Sequence, residues 1–333
     1  MLASLPPSFR RAAILDIGSA SIRILIARHH PGQPLEIECD QGIITRLMSG
    51  LTADSFLSDE SMNQSFNAIG SLIDHITDRT NCVVRCIGTQ ALRRARNADY
   101  FIREVERIGG FPVEVITADR EGRLAWLGSR DLLDQQALLM DLGGGSTELV
   151  FYDREGDLRV VSLPVGAAIH EAIPQDLEFP ALSVECDLRF TSISISRMVC
   201  LGGTATSVAF IAAGIEQWAH GCVHGMMICR RDIEMVRDRV SRAIDSGLQQ
   251  RLGIEPGRIQ LLPSGIRLLL EMMNRIGVDS ITVSEHGIRF GLVREILESG
   301  LRETQAALCE SPPSGLAVLE TGGVDESDPL DSE

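Results

Sequence analysis

Asp141-Leu142-Gly143-Gly144-Gly145-Ser146-Thr147-Glu148-Leu149-Val150 reads as strand, glycine turn, strand. The apolar run 137–140 leads in and 149–152 leads out, which predicts a β-hairpin. Gly143, Gly144 and Gly145 leave a row of backbone N–H groups with no side chain in front of them. Such a row wraps an anion closely. Asp141 stands before the turn and Glu148 after it. Two carboxylates beside a phosphate cradle suit a hard cation such as Mg²⁺, which bridges carboxylate and phosphate oxygens.

An echo lies about 125 residues upstream, Asp16-Ile17-Gly18-Ser19-Ala20-Ser21-Ile22-Arg23. A single loop of this kind is also what any tight hairpin needs on steric grounds. Two copies with one Asp-x-Gly grammar predict two similar lobes, each offering a phosphate loop to a shared cleft. Gly202-Gly203-Thr204 is a third glycine turn, between an apolar run and a helix, and helix N-termini attract anions and nucleotide edges. Arg23 is either a strand-surface charge or a phosphate clamp.

With 333 residues, 44% of them hydrophobic, the chain can build two cored domains. Apolar β-branched runs alternate with helical patterns, so the fold class is α/β. The net charge is −15; seven acidic and no basic residues fall in the last 24 positions, leaving about −8 elsewhere. An acidic body argues against general nucleic-acid binding. The chain has no lysine, so all 31 of its Lys+Arg total is arginine. That excludes a lysine-dependent Walker loop and Schiff-base chemistry. Phosphate recognition then falls to backbone N–H groups, arginine and metal. Eight scattered cysteines without a C-x-x-C pair read as reduced thiols, and the expected location is cytoplasmic. His220, Cys222 and His224 form a candidate metal trio, in a stretch interrupted by glycine. Residues 1–11 have no apolar core, so no signal peptide is expected. The uncharged run 198–215 contains Gly202, Gly203 and Thr204 and reads as strand, turn, helix rather than a membrane span.

Further strands are expected at 35–44, 82–87, 113–116, 158–163, 198–201 and 280–283. Helices are expected at 58–78, 97–108 (capped by Asn97), 117–133, 230–244, 263–276 and 287–300. The stretch 174–196 is poorly patterned. The expected organisation is an N-terminal lobe at 1–122, a C-terminal lobe at 123–303, and an acidic tail at 304–333 too polar to form a core. In Arg93-Arg94-Ala95-Arg96, either the arginines are a solvated helix end or one turns into the cleft.

Other motifs share the order and spacing of these loops. They are Gly88-Thr89-Gln90-Ala91-Leu92-Arg93, Glu121-Gly122-Arg123-Leu124, Leu163-Pro164-Val165-Gly166, Leu201-Gly202-Gly203-Thr204-Ala205-Thr206 and Val283-Ser284-Glu285-His286-Gly287-Ile288-Arg289. Together they resemble the exopolyphosphatase and guanosine pentaphosphate phosphohydrolase family, within the actin-like ATPase superfamily. The resemblance implies two ribonuclease-H-like lobes with the active site in the interlobe cleft. It implies a phosphoanhydride hydrolase that releases the terminal phosphate of linear polyphosphate or guanosine pentaphosphate, with Mg²⁺ or Mn²⁺. The family's catalytic glutamate falls on Glu121. Its phosphate loops fall on Gly18, Ser19 and Ser21 and on Gly143, Gly144, Gly145, Ser146 and Thr147, and Arg93 leans toward the cleft; Arg23 and the turn Gly202, Gly203 and Thr204 join them as phosphate candidates on the residue readings above. Asp141 and Glu148 fall near the metal, with Asp16 a further metal candidate as the upstream counterpart of Asp141, and the last helix packs back toward the first lobe. A homodimer is compatible with this pattern. Ala20 replaces an amide usual in the first loop, Gly122 replaces a usual alanine, and no basic residue follows Leu163-Pro164-Val165-Gly166. These departures keep a second class open, a weakly catalytic sensor of nucleotide or polyphosphate. A small-metabolite kinase would need a substrate-binding insert that the chain lacks. Arg267 serves either the substrate or an interface.

Overall fold

The computed structural model describes residues 11–30, 33–51, 54–170 and 195–297. β1 (Arg11–Ile17), β2 (Ser21–Arg28) and β3 (Glu36–Ile44) form an antiparallel meander. After α1 (Asp59–Ile73), β4 (Val83–Gly88) pairs parallel with β1. α2 (Gln90–Arg94) and α3 (Ala98–Gly109) lead to β5 (Val113–Val115), parallel to β4. The sheet order is β3-β2-β1-β4-β5.

α4 (Ala118–Gly128) precedes a second meander of β6 (Ala137–Leu142), β7 (Thr147–Tyr152) and β8 (Leu158–Leu163). Then come α5 (Ala167–His170), β9 (Arg197–Leu201), α6 (Gly203–Ala212), β10 (Met227–Cys229) and α7 (Arg230–Asp245). α8 (Pro256–Ile259), α9 (Leu262–Ile276), β11 (Ser280–Val283) and α10 (288–297) complete the described chain. The second sheet runs β10-β11-β9-β6-β7-β8, with β9 parallel to β6 and β11 parallel to β9. Apart from β10 it repeats the first sheet, three antiparallel strands and then two parallel ones. The expected two-lobed α/β architecture is therefore the observed one.

Strand alternation decides what each lobe turns to the other. In β1, Ala13, Leu15 and Ile17 face the core under α1 and α3, whereas Ala12 and Ile14 face a separate apolar layer. In β6, Leu138, Met140 and Leu142 face the core under α6 and α9, and Leu139 faces the same separate layer. Leu124 and Ala125 of α4 and Phe290, Val293, Ile296 and Leu297 of α10 complete that layer, so two helices lie between the two sheets. Each fully buried Leu, Ile or Phe there contributes about 1.5–3 kcal/mol. By the same period of two, Asp16 and Asp141 point into the interlobe layer. So do Arg23 and Glu148, which pair with them across the hairpins.

Several boundaries differ from expectation. α1 stops at Ile73 rather than 78; Ile76 still reaches the core, but from a turn in which its N–H bonds to Ile73 O. α4 stops at Gly128 rather than 133. There Ser129 Oγ donates to His286 O at 2.8 Å and meets Ser284 Oγ at 2.9 Å, so the chain follows its tertiary partners out of the helix. Asn97 makes no side-chain cap; its amide instead exchanges two hydrogen bonds with the backbone of Leu57. β10 and α8 are too short to show periodicity in the sequence. The tail 304–333 lies outside the described residues, as does 174–194 of the poorly patterned stretch.

Candidate active site

The two hairpins are built alike. Gly18 N–H donates to Ser21 O and Gly143 N–H to Ser146 O, each at 3.0 Å. The loop carbonyls are taken up from outside: Thr45 and Arg46 N–H donate to Ala20 O, Met48 N–H to Ser19 O, and Ala167 and Ala168 N–H to Gly143 and Gly144 O. Among the described residues, the N–H groups of Ser19, Ala20, Gly144 and Gly145 make no backbone hydrogen bond. The loops also touch. A Cβ on Gly144 would stand 2.9 Å from Ala20 N and 2.7 Å from Ala20 Cβ, so only glycine lets the lobes close this far. Between them lies a cavity of about 160 Å³.

The cavity gathers Asp16, Gly18, Ser19, Ser21, Arg23, Glu121, Asp141, Gly143, Gly144, Gly145, Ser146, Gly202, Gly203 and Thr204. Three expected contacts do not line it. Thr147 is buried, and its Oγ1 donates to Val165 O at 2.7 Å. Glu148, 1% exposed, lies behind the wall and accepts from Ser162 Oγ at 2.8 Å. Arg93 stands behind Glu121: its Nη1 donates to Glu121 Oε2 at 2.7 Å and to Ile116 O at 2.8 Å, and its other nitrogens hold Gln90 Oε1.

Glu121 sits in the first turn of α4, whose N-cap Thr117 accepts from Arg120 N–H. The helix N-terminus favours a carboxylate there. Burial nonetheless raises the Glu121 pKa above the usual range, and Arg93 opposes that rise. Burial and the charge of Glu121 push Asp16 up to about 7; Arg289 and Arg23 pull it back. Burial, Glu121 and Asp16 push Asp141 up to about 7. Glu148 is raised by burial, Glu121 and Asp141. For these carboxylates, burial and mutual repulsion outweigh the arginines beside them, a deficit of positive charge.

A divalent cation fits that deficit. Asp16 Oδ1 is buried without a hydrogen-bond partner among the described residues. No three of these carboxylates bring their oxygens within 4.8 Å of one another, so they form no cage by themselves. Mg²⁺ is commonly held by one or two carboxylates, with water and substrate phosphate filling the rest. Asp16 and Asp141 are the donors placed for this, with Glu148 behind them. The cysteine–histidine trio does not form. His220 Nδ1 stands 3.7 Å from Asp40 and from Glu285, whereas His224 Nε2 bonds to Asp131 at 2.7 Å. Asp131, His224 and His286 do converge within 4.8 Å. There, however, His224 Nδ1 accepts Glu285 N–H at 3.2 Å, which leaves the ring proton on Nε2, facing Asp131. A metal would need that nitrogen bare, so the trio is a hydrogen-bonded cluster.

Other lining residues were not singled out as site residues in the sequence: Thr89, Arg258, Ser284, Glu285 and Arg289. Arg289 and Glu285 belong to the Val283–Arg289 motif, which was their available signal. Arg258 belongs to no motif. Arg289 is buried, donates to Ile24 O at 3.1 Å and pairs with Asp40 of β3. Burial alone would raise the Asp40 pKa, but Arg289, the His220 hydrogen bond and Arg23 hold it far below the usual carboxylate range. The carboxylate of Glu285 accepts N–H groups from Gly221 at 2.7 Å and Val223 at 2.8 Å, tying the 220s loop to the cavity wall.

A family model described as the Ppx/GppA phosphatase family matches residues 25–300. A guanosine-5'-triphosphate,3'-diphosphate pyrophosphatase of Vibrio campbellii is 24% identical over 303 residues, which cover 86% of this chain and 59% of that one. The chain thus spans less than two thirds of that relative. A solved Ppx/GppA enzyme of Aquifex aeolicus is 30% identical, with 86% of this chain and 99% of that one covered at a TM-score of 0.66. An exopolyphosphatase of Cytophaga hutchinsonii, 18% identical, shares the fold at a TM-score of 0.76 over 87% of this chain and 98% of that one.

Proposed function

The chain belongs to the Ppx/GppA phosphatase family, and from that membership we propose a hydrolase that removes the terminal phosphate of linear polyphosphate or guanosine pentaphosphate. One observation carries the reading: Glu121, 8% exposed and held by Arg93, borders a cavity walled by two glycine loops in which the N–H groups of Ser19, Ala20, Gly144 and Gly145 are free of backbone partners.

In this reading the N–H groups of Ser19, Ala20, Gly144 and Gly145, and of the α6 N-terminus, donate to the phosphate oxygens. Arg23 and Arg289 add charge from the first lobe's side. Glu121 takes a proton from a water and orients its oxygen toward the terminal phosphorus. A new P–O bond forms, the bridging P–O bond breaks, and the shortened chain leaves with its electron pair. Asp16 and Asp141 would hold Mg²⁺ or Mn²⁺, which when bound supplies neutralising charge to the phosphate oxygens and the leaving group. The guanidinium of Arg93 favours the ionised, working form of Glu121 against burial.

The test is phosphate release from tripolyphosphate and from guanosine pentaphosphate, with Mg²⁺ and with excess chelator. Release that needs the cation is the expected result. Tight binding without turnover of either compound, in Mg²⁺ or Mn²⁺, would replace the hydrolase with the sensor reading.

A further inference from the structure

Gly42 lies inside β3, where glycine weakens a strand. Its φ is outside the left-handed region, so the backbone there accepts an L side chain. The space does not. A Cβ on Gly42 would stand 2.8 Å from Arg23 Cγ and 3.3 Å from Arg23 Nε. Arg23 is the register partner of Gly42 on β2, and its stem lies across β3 where that side chain would be. Asp40, two residues earlier, is on the same face of β3. Its Oδ1 accepts from Arg23 Nη2 at 3.3 Å and from Arg289 Nη1. Arg289 arrives from α10 and is tied a second time, to Ile24 O at 3.1 Å. One carboxylate oxygen thus joins two guanidiniums that would otherwise repel. Arg289 is the largest influence lowering the Arg23 pKa, to about 10; burial and Arg258 act with it, and Asp40 and Asp16 oppose. Both arginines border the glycine-loop cavity. Among the described residues, Arg23 Nε is buried without a hydrogen-bond partner.

We propose that Asp40 and Gly42 are positioning residues, which together set Arg23 and Arg289 side by side as a preformed grip for the phosphate chain. The inference rests on the hydrolase reading above and deepens it. A long side chain on an open strand must lose its rotamer freedom when it binds, and that loss weakens the contact. Here the missing side chain at 42 lets the Arg23 stem lie down, and Asp40 fixes its tip before the phosphate arrives. The charge of Asp40 works in the other direction, because it cancels part of the positive charge that an anion meets. Charge and geometry therefore predict opposite outcomes when Asp40 is made neutral. If Asp40 only screened the arginines, phosphate affinity would rise; as a positioning residue, its loss lowers it.

The experiment is equilibrium binding, on the full chain in Mg²⁺, of the tripolyphosphate analogue whose bridging oxygens are replaced by N–H and which is not hydrolysed. In Gly42→Ala and in Asp40→Asn the Kd should rise about tenfold or more, in line with one lost hydrogen bond to a charged group. Gly42→Ala keeps every charge and places alanine where a strand prefers it to glycine, so it should fold as the parent does. In an Arg23→Ala background, itself weakened, Gly42→Ala should have no further effect, because the residue it displaces has gone. An unchanged Kd in Gly42→Ala, or the same loss with and without Arg23, overturns the inference. So does an unchanged or lower Kd in folded Asp40→Asn; if that variant does not fold, the Gly42→Ala pair decides alone. A parent chain that does not bind the analogue removes the phosphate grip and this inference with it. A parent that binds it but releases no phosphate from tripolyphosphate or guanosine pentaphosphate sinks the hydrolase reading alone.

Discussion

Glu121 is pulled two ways. Burial favours its neutral form, and the guanidinium of Arg93 favours the carboxylate. The cavity works only if the second influence suffices near neutral pH. Arg93→Ala removes it, so the Glu121 pKa should rise further. The acid limb of the kcat–pH profile should then move to higher pH by about 1–3 units, with kcat reduced below it. A limb that stays in place would show that Glu121 does not report on the rate. Glu121 was legible in the sequence as a first-turn acid within a motif. The task of Arg93 was not, because its partner lies 28 residues away, across β5. Arg258 shows the same limit more sharply: no local pattern marks it, and only the packing of α8 against the Gly203 turn brings it to the cavity.

The hairpins carry the next scale. Both have the same four-residue loop, yet the pair flanking it differs: Asp16 faces Arg23 in the first, Asp141 faces Glu148 in the second. The second pair is uncompensated, and burial with neighbouring carboxylates lifts Asp141 from 3.8 to about 7. The folded state therefore holds this proton more tightly than the unfolded chain does. Stability from it is complete below about pH 4 and is lost as the pH rises through 7. Asp141→Asn removes the loss, on the order of 2–4 kcal/mol. In chelator at pH 8 its Tm should exceed the parent's by several degrees, and the gap should close toward pH 4. Mg²⁺ should narrow it from the other side by raising the parent more than the variant. Equal Tm values in chelator at pH 8 would contradict this electrostatic picture. The loops were readable because anion-binding backbone and tight turns both demand glycine at fixed spacing. Helix ends were not, since α1 and α4 stop where tertiary partners outcompete the next turn.

At the scale of the whole molecule, two sheets of the same order face each other across α4 and α10. The period of two then aims Asp16, Arg23, Asp141 and Glu148 into one layer. The doubled Asp-x-Gly grammar announced this arrangement. How the lobes are fastened was hidden: Asp40 of β3 meets Arg289 of α10, 249 residues later, and His220 of a loop between them. Only the folded chain assembles that tie, which also sets Arg289 at the cavity edge. The central claim is that this cavity grips phosphate through loops and arginines while Glu121 acts on water. The direct measurement is Glu121→Gln, which keeps size and polarity but removes the base. Steady-state phosphate release and equilibrium binding of a non-hydrolysable substrate analogue should be read on the same preparation. The predicted result is a rate lower by about 10²–10⁴-fold with binding retained or tighter, because a buried negative charge has gone. Near-parental turnover would remove Glu121 from the chemistry. Loss of binding together with rate would make it a structural cap on α4, and either result contradicts the account.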